Sequence, residues 1–439
     1  MSTRTFLLKV FSAAAIILAS ANYVYSQKTD ARQEVASDRN KCSGLDAVYD
    51  FDALCPPARV KGYEPFYISH YGRHGSRYSY TSEVYTRILD MIAEGEKTGN
   101  VTDYGLGLKE RVSDIYEKIQ YRIGDLTDIG WAQQRRIAGI MVRDYPEAFG
   151  KGSSVTACAS GSVRSIMSMS SFCVEIARLS PETELIAHQG LEYIQPTAPN
   201  MGKNPFRYKG PEIKMPYEET PEEFLKRRFP GYMDVLGRIF HDPLAALGEH
   251  SHFKTMDHLY MLVSGMNSLT PDVKADFSDI FTPGEFVQMW EVDSYMRFDE
   301  YYRYRTSCSA IFDDMMAKAE ERIASGVPGT DLRFGHDHCL MTLLMIADID
   351  GFGRIPEDPD NLVQQFRTFC SPMAGNIQWV FYRPARKSSS REILVNVLLN
   401  GQNASVGDLE RVEGNLYRWT DLKAYMGSRI DSLVFRDER

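Results

Sequence analysis

The sequence predicts an α/β protein, a three-layer sandwich with a mostly parallel central sheet that carries a helical insertion. Short apolar runs alternate with segments of helical periodicity in the first and last parts of the chain. Three of these runs end in a small or polar turn that leads directly into a helix. Between about 190 and 328 the alternation stops, and long helical stretches follow a region rich in proline, glycine and aromatic residues. Together these observations favour helices on both faces of a sheet, with an inserted helical cap.

Length and composition indicate a large folded protein. The 439 residues suffice for one large α/β domain with an insertion, or for two domains that share an interface. With 43% hydrophobic and 25% charged residues, the chain can form a sizeable core. The formal net charge of −9 argues against a nucleic-acid partner, because such proteins normally present a basic surface.

The first 26 residues are typical of a secretory signal peptide. Arg4 and Lys9 lie at its start, an apolar or small stretch follows, and Val24-Tyr25-Ser26 offers small residues near a cleavage site before Gln27. We expect an exported protein, periplasmic or extracellular, without a stable membrane span once this segment is removed. An uncleaved N-terminal anchor is the alternative. Residues 27–60 are polar and predict a flexible, loop-like lead-in.

The predicted elements fall into three parts after the lead-in. The first α/β part, 61–190, contains apolar strands and amphipathic helices. The insertion, 191–328, contains helices only, and the second α/β part, 329–439, resumes with a strand and a hairpin. The predicted strands are 65–70, 153–159, 183–188, 331–334, 377–382 and 392–399, and the predicted helices are 80–96, 105–121, 128–144, 162–179, 220–228, 300–324 and 337–347.

Seven cysteines are scattered along the chain without a metal-type C-x-x-C spacing. In an oxidising compartment some can pair, and Cys42 with Cys55 is the easiest local pair. The odd number leaves at least one cysteine free.

Three strand-to-helix turns carry the side chains that could bind a ligand or take part in a reaction. They are the segments 69–77, 157–164 and 333–338, each directly behind an apolar run. The carboxyl ends of strands in an open sheet converge on one crevice, so these turns can meet in space. The predicted pocket residues are Arg73, His74, Arg77, Arg164, His336 and Asp337.

This set of side chains predicts phosphoryl chemistry. Arginine stays charged and presents a planar fork of donors that fits phosphate oxygens, so three arginines favour a dianionic phosphoryl group over a carboxylate. Neighbouring cations lower the pKa of an imidazole and keep it available as a nucleophile. A carboxyl group beside them can protonate the departing oxygen.

These motifs resemble those of the histidine phosphatase superfamily, in particular its acid phosphatase and phytase branch. The resemblance rests on the segment 73–77 (RHGSR), on Arg164 behind a Ser-Gly-Ser turn, and on His336-Asp337 behind Phe334-Gly335. The segment 126–130 (LTDIG) at a helix start is similar to another recurrent element of these enzymes, and the resemblance spans about 65–400.

The resemblance implies a phosphoglycerate-mutase-like sandwich and a role for each pocket residue. His74 attacks phosphorus and forms a phosphohistidine, Asp337 protonates the leaving alcohol, and water then cleaves the intermediate. The reaction needs no metal and no cofactor, and its partner is a small phosphomonoester. The residues implied to hold the phosphoryl oxygens are Arg73, Arg77, Arg164 and His336.

Substrate and function class stay open at this point. Inositol polyphosphates such as phytate come first for an exported enzyme with a large cap, and a broad-specificity acid phosphatase is the alternative. Multiple inositol polyphosphate phosphatases usually carry His-Ala-Glu where this chain has His336-Asp337-His338. A non-catalytic phosphate-binding protein and a phosphoryl mutase are further alternatives, and the oligomeric state is undetermined.

Individual residues also have structural or metal-binding alternatives. Spacing allows a zinc site from His70 with His74, or His336 with His338, although three arginines would repel the cation. Asp337 can be a helix N-cap, and the arginines can pair with surface carboxylates. His338 is a helix-start residue or a contact of the leaving group. The aromatic run 301–305 predicts insertion core or an interface, and a substrate contact by Arg303 or Arg305 is the alternative.

Overall fold

The computed structural model describes residues 30–201, 213–385 and 392–437. The predicted signal peptide, 1–26, lies outside the described residues, and so do the first residues of the predicted lead-in. Within the described part of the chain, no helix combines the length and the apolar character needed to cross a bilayer.

One eight-stranded sheet forms the centre of the molecule. Its strand order is β3-β2-β4-β1-β5-β6-β7, with β8 paired to β6. The pairs among β3, β2, β4 and β1 are parallel, whereas β5 to β8 continue the sheet with antiparallel pairs. The α/β prediction with a mostly parallel central sheet is therefore confirmed. The strands are β1 Tyr63–Arg73, β2 Ser154–Ala159, β3 Glu184–Gln189, β4 Gly329–Gly335, β5 Asn376–Pro384, β6 Leu394–Leu399, β7 Gln402–Asn403 and β8 Leu416–Arg418.

The described residues form fifteen α-helices, seven of them where the sequence predicts a helix. The predicted helix 300–324 is two helices, because the chain breaks at Arg303 and Tyr304. The helices are α1 Ala31–Ser37, α2 Arg39–Cys42, α3 Glu83–Thr98, α4 Asp103–Ile119, α5 Asp128–Asp144, α6 Val163–Leu179, α7 Pro221–Arg228, α8 Tyr232–Ile239, α9 Pro243–Leu247, α10 His252–Gly265, α11 Pro283–Tyr302, α12 Arg305–Ser325, α13 Asp337–Ile346, α14 Leu362–Gln365 and α15 Trp419–Asp437.

Two hydrophobic cores cover the two faces of the sheet. Ile68 of β1 packs in the core that includes Phe172 of α6, while its neighbour Tyr67 packs in the core of the other face. This alternation follows from the two-residue period of a strand. The core that contains Tyr67 continues without interruption into the helices of the predicted insertion. There the ring of Phe224 stacks on that of Tyr295 at 4.1 Å between centroids.

The expectation of a flexible, loop-like lead-in is wrong for residues 30–46. Helices α1 and α2 form there, and Ala31, Val35 and Cys42 are buried. Arg32 forms an ion pair with the buried carboxylate of Glu291 in α11. The polar composition is misleading because one face of α1 is apolar and charged side chains fix the other face.

All seven cysteines are free in the structure, so the predicted pair of Cys42 with Cys55 does not form. Cys42 is buried at the end of α2, whereas Cys55 is half-exposed. Cys308 and Cys339 are the residues whose sulfur atoms approach each other, at 3.8 Å.

Candidate active site

Strand register brings two of the predicted turns side by side. Arg73 is the last residue of β1 and pairs with Gly335, the last residue of β4. The amide of His74 donates to the Gly335 carbonyl at 3.1 Å, and the His74 carbonyl accepts from the Ala374 amide at 2.9 Å. As a result the rings of His74 and His336 lie 5.7 Å apart between centroids.

The start of α5 supports the glycine-rich turn from behind. The Thr127 amide and hydroxyl both donate to the Ser76 carbonyl, at 2.9 and 3.1 Å. A Cβ added to Gly130 would lie 2.2 Å from that carbonyl, and one added to Gly75 would lie 2.6 Å from the Gly130 carbonyl. Both glycines are needed because the two backbones approach too closely for any side chain.

Three guanidinium groups surround the His74 ring. Arg73 is fully buried and donates to the Leu45 and Ser371 carbonyls. Arg164 lies in the first turn of α6, which starts directly after β2. The Nε atoms of Arg73, Arg77 and Arg164 are all buried and have no hydrogen-bond partner within the described structure. Unpartnered buried donors are costly, so this arrangement is suited to a ligand with several acceptors.

The His74 ring is held as a neutral imidazole. Its Nδ1 lies 2.9 Å from the Gly75 carbonyl, which can only accept a hydrogen bond, so Nδ1 carries the proton and Nε2 keeps its lone pair. Burial, followed by the charges of Arg164, Arg73 and Arg77, holds the pKa of His74 well below its usual value of 6.5. A lone pair on an uncharged ring is therefore available at neutral pH.

His336 is oriented in the same way by two neighbours. Arg164 Nη2 lies 3.5 Å from His336 Nδ1, and because arginine can only donate, Nδ1 is the acceptor. The proton is then on Nε2, which donates to the Ser160 hydroxyl at 2.9 Å. Burial, followed by His338 and Arg164, lowers the pKa of His336 well below 6.5.

Asp337 begins α13 and faces Arg73. Its Oδ1 lies 3.9 Å from Arg73 Nε, and its Oδ2 accepts from the Tyr301 hydroxyl at 2.6 Å. Burial alone would raise the pKa of Asp337, but Arg73, His338 and the Tyr301 hydrogen bond hold it well below its usual range. The N-cap position itself belongs to His336.

Five of the six predicted pocket residues line a cavity of about 240 Å³, and His336 is not among its lining residues. One part of the lining, which we call the basic wall, consists of Arg73, His74, Arg77 and Arg164. Another part, which we call the acidic wall, consists of Asp46, Asp293 and Glu300, with Arg297 among them. Asp337 also lines the cavity, as do Tyr301 and His338.

The structure brings all six predicted pocket residues together, but the acidic wall was missed. Asp46 comes from the lead-in, and its neighbours come from α11, which no strand-end pattern identifies. The aromatic run 301–305 was the sequence feature that pointed to this part of the cavity. Of its residues Tyr301 lines the cavity, whereas Arg303 pairs with Asp299 at 2.9 Å. Arg305 lies over the Tyr302 ring at 3.4 Å.

The histidines of the zinc alternative are placed differently. His70 lies within the sheet core, with its ring 5.6 Å from Phe172 and 5.5 Å from Phe334 between centroids. The rings of His336 and His338 stack at 5.2 Å between centroids, and His338 lines the cavity. Burial lowers the pKa of His338, but Cys339, Asp337 and Glu300 raise it to about 9.

Solved structures with the same architecture identify the fold. Multiple inositol polyphosphate phosphatase of Bifidobacterium longum, in complex with inositol hexasulfate, superimposes with a TM-score of 0.72 at 16% identity, over 89% of this chain and 98% of that chain. The chain has the histidine acid phosphatase fold. Within that fold, the phytase of D. castellii gives a TM-score of 0.62 at 14% identity over 89% of this chain and 85% of that chain.

A third structure extends the same comparison. The phytase of Citrobacter braakii superimposes on the histidine acid phosphatase fold of this chain with a TM-score of 0.54 at 11% identity, over 84% of this chain and 98% of that chain. No protein-family model and no curated protein sequence matches the chain. The resemblance predicted from the sequence is therefore confirmed at the level of the fold.

Proposed function

We propose that this protein hydrolyses phosphomonoesters through a phosphohistidine intermediate on His74. The observation that carries the proposal is the cluster of three buried guanidinium Nε–H groups without partners around a neutral imidazole. A phosphoryl group offers three oxygens to these donors, and arginine forks match their geometry. Charge stabilisation by such prepositioned donors is commonly the largest contribution to catalysis.

The first step transfers the phosphoryl group to the histidine. The lone pair on His74 Nε2 forms a bond to phosphorus while the ester P–O bond breaks, and Asp337 gives its proton to the departing alkoxide. Arg73, Arg77, Arg164 and His336 hold the phosphoryl oxygens. In the second step a water oxygen attacks phosphorus, the P–N bond breaks, and the water proton returns to Asp337.

Substrate binding changes the protonation of Asp337. Without substrate, Arg73 favours the ionised carboxylate. A bound phosphate dianion neutralises that cation and adds negative charge beside the carboxyl group, so the pKa of Asp337 rises in the complex. Substrate binding therefore favours the protonated form of Asp337, which is the form that acts as the acid.

The solved neighbours support a phosphatase without fixing the leaving group. They are described as phytases and an inositol polyphosphate phosphatase, which keeps inositol phosphates among the candidate substrates. A broad-specificity acid phosphatase remains the alternative. We also infer export, because residues 1–26 have the pattern of a signal peptide. A non-catalytic binding protein is disfavoured since both the nucleophile His74 and the acid Asp337 are present.

The test is stoichiometric labelling of the protein by a phosphomonoester with a labelled phosphate. The wild type should carry acid-labile, base-stable phosphate, and His74→Ala should lose the label and at least about 10³-fold in kcat/KM. His241→Ala, which removes an exposed histidine, is the matched control and should behave as wild type. Phosphate release by His74→Ala at a rate near that of the wild type would end the assignment.

A further inference from the structure

Asp337, the proposed acid, is held by a tyrosine of the predicted insertion. Tyr301 lies in the last turn of α11, is almost fully buried, and donates from its hydroxyl to Asp337 Oδ2 at 2.6 Å. The Thr342 hydroxyl of α13 donates to the His338 carbonyl at 2.6 Å and also lies 3.3 Å from the Tyr301 carbonyl. The end of α11 is therefore fixed against the helix that Asp337 begins.

The two carboxyl oxygens of Asp337 have different surroundings. Oδ2 accepts from Tyr301, whereas Oδ1 lies 3.9 Å from Arg73 Nε, which is too long for a hydrogen bond. The side chain of Asp337 keeps 20% exposure and lines the cavity. A protonated carboxyl group carries its proton on one oxygen and accepts through the other. Because Tyr301 donates to Oδ2, Oδ1 is the oxygen left to carry the acid proton.

The Tyr301 hydroxyl is a lasting donor in this position. Burial, followed by the charge of Asp337, raises the pKa of Tyr301 well above its usual value of 10. The phenol therefore keeps its proton over the whole range in which a carboxyl group titrates. A hydrogen bond donated to a carboxylate stabilises the ionised form, so Tyr301 lowers the pKa of Asp337, as Arg73 and His338 also do.

The other groups around Asp337 act on it through charge, and substrate binding offsets the effect of the arginines. Once a phosphoryl dianion is bound, its charge compensates Arg73 and Arg164, whereas the hydrogen bond from Tyr301 is unchanged. Tyr301 thus contributes most directly in the complex, where the proton is transferred. The groups that face Asp337 are Arg73 and His74 at the end of β1, Arg164 of α6, His336 and His338 beside it, and Tyr301, on which Arg297 and Glu300 of α11 act in turn.

We propose that Tyr301 is a positioning residue for the acid, whose hydroxyl fixes Asp337 so that Oδ1 presents the proton to the ester oxygen. This inference rests on the proposed phosphatase function. Asp337 Oδ1 gives its proton to the alkoxide as the P–O bond breaks and regains a proton from the attacking water, while the Tyr301 proton stays on its own oxygen. The helix α11 of the insertion is thereby part of the proton-transfer step.

The variant Tyr301→Phe removes this hydrogen bond and keeps the ring. With glycerol 2-phosphate, whose alkoxide needs a proton, kcat should fall by about tenfold to a hundredfold, because the acid is no longer held in place. KM should change little, since the groups that hold the phosphoryl oxygens are intact. With p-nitrophenyl phosphate kcat should be nearly that of the wild type, because p-nitrophenolate leaves without protonation. That activity also shows that the variant is folded.

The pH profile of kcat gives a readout that a purely structural role would not move. Tyr301 stabilises the ionised form of Asp337, so its loss favours the protonated form and raises the pKa of Asp337. For glycerol 2-phosphate the decrease of kcat with rising pH should therefore move to higher pH in Tyr301→Phe.

The matched control is Tyr295→Phe in the same helix. Its buried hydroxyl donates to the Glu219 carbonyl at 2.6 Å, and Tyr295 is not among the residues that line the cavity. This variant loses a hydrogen bond of the same length, so its stability should fall as in Tyr301→Phe. Its ratio of kcat for the two esters and its pH profile should both equal those of the wild type.

Failure of the inference and failure of the proposed function are distinguishable. An active wild type combined with equal losses for both esters in Tyr301→Phe, or with an unmoved pH profile, overturns the positioning role alone. A loss as large as that of Asp337→Asn, with the pH dependence abolished, also overturns it, because Tyr301 would then supply the proton itself. A wild type that releases no phosphate from either ester overturns the proposed function and the inference with it.

Discussion

The two walls of the cavity are built in different ways. The basic wall stands on strand ends, where register and backbone hydrogen bonds place Arg73 and His74 within a rigid sheet. The acidic wall stands on a short turn after α2 and on helices of the predicted insertion, held by side-chain pairs such as Arg228 with Glu291 at 2.6 Å. The candidate catalytic residues therefore lie where the backbone is held by the sheet, whereas the acidic residues lie on elements that are held together by side-chain pairs.

After substitution of the nucleophile His74, the largest loss of activity is expected from substitution of Asp337, which lines the cavity together with both walls. Asp337→Asn should reduce kcat for alkyl phosphates by about 10²–10⁴ and should affect p-nitrophenyl phosphate far less, because p-nitrophenolate leaves without protonation. In the wild type, kcat should fall as pH rises through the pKa of Asp337 in the complex. This decrease of kcat with rising pH should disappear in the variant. Equal losses of kcat for both substrates would show that Asp337 does not protonate the leaving group.

The next effect concerns the basic wall alone. Arg164→Ala should lower kcat/KM by about 10²–10³ for every phosphomonoester, whatever the charge of its leaving group, because it removes a donor to the phosphoryl group. Arg135→Ala, at an exposed site of α5, is the control. A loss that depends on the leaving-group charge would contradict the separation of the walls.

The rigid support of the basic wall gives a smaller effect, measured as stability. Gly130→Ala places a methyl group against the Ser76 carbonyl, where the Cβ would lie at 2.2 Å, and should cost about 1–3 kcal/mol in the free energy of unfolding. Gly139→Ala in the same helix meets its nearest atoms at 3.8 Å and should be neutral or stabilising. Denaturant titration compares the two, and equal midpoints would indicate that the turn is not held by this contact.

The smallest effect concerns the acidic wall and depends on pH. The pKa of Asp293 is raised from 3.8 to about 7 in the folded protein, so the folded state binds the proton more tightly than the unfolded chain. Stability from this group is therefore present at low pH and declines as pH rises from about 4 to about 7.

The variant Asp293→Asn isolates this contribution. Between pH 4 and 7 the Tm of the wild type should fall relative to that of the variant by about 1 °C for each kcal/mol of lost stability, because the entropy of unfolding grows with chain length and this chain has 439 residues. Asp114→Asn, at an exposed position of α4, supplies the baseline. A difference in Tm that does not change with pH would show that Asp293 is ionised throughout.

Local patterns alone predicted strands β1 to β6, seven of the helices and the basic wall. Each of the predicted residues Arg73, Arg164 and Asp337 lies directly behind or just beyond an apolar run, and strand ends in a parallel sheet converge whatever the length of the chain between them. Local patterns also predicted a helix that begins at 128, and the structure shows Thr127 as its N-cap.

Local patterns did not predict the acidic wall, the packing of the lead-in or the orientation of the rings, because all three depend on contacts between distant parts of the chain. Asp46 and Glu300 are separated by more than half of the chain, and nothing in their neighbours distinguishes them from surface carboxylates. Their meeting depends on how α10 and α11 pack against the sheet and the lead-in. Packing between helices is set by shapes and volumes summed over many side chains, which no short stretch of sequence contains.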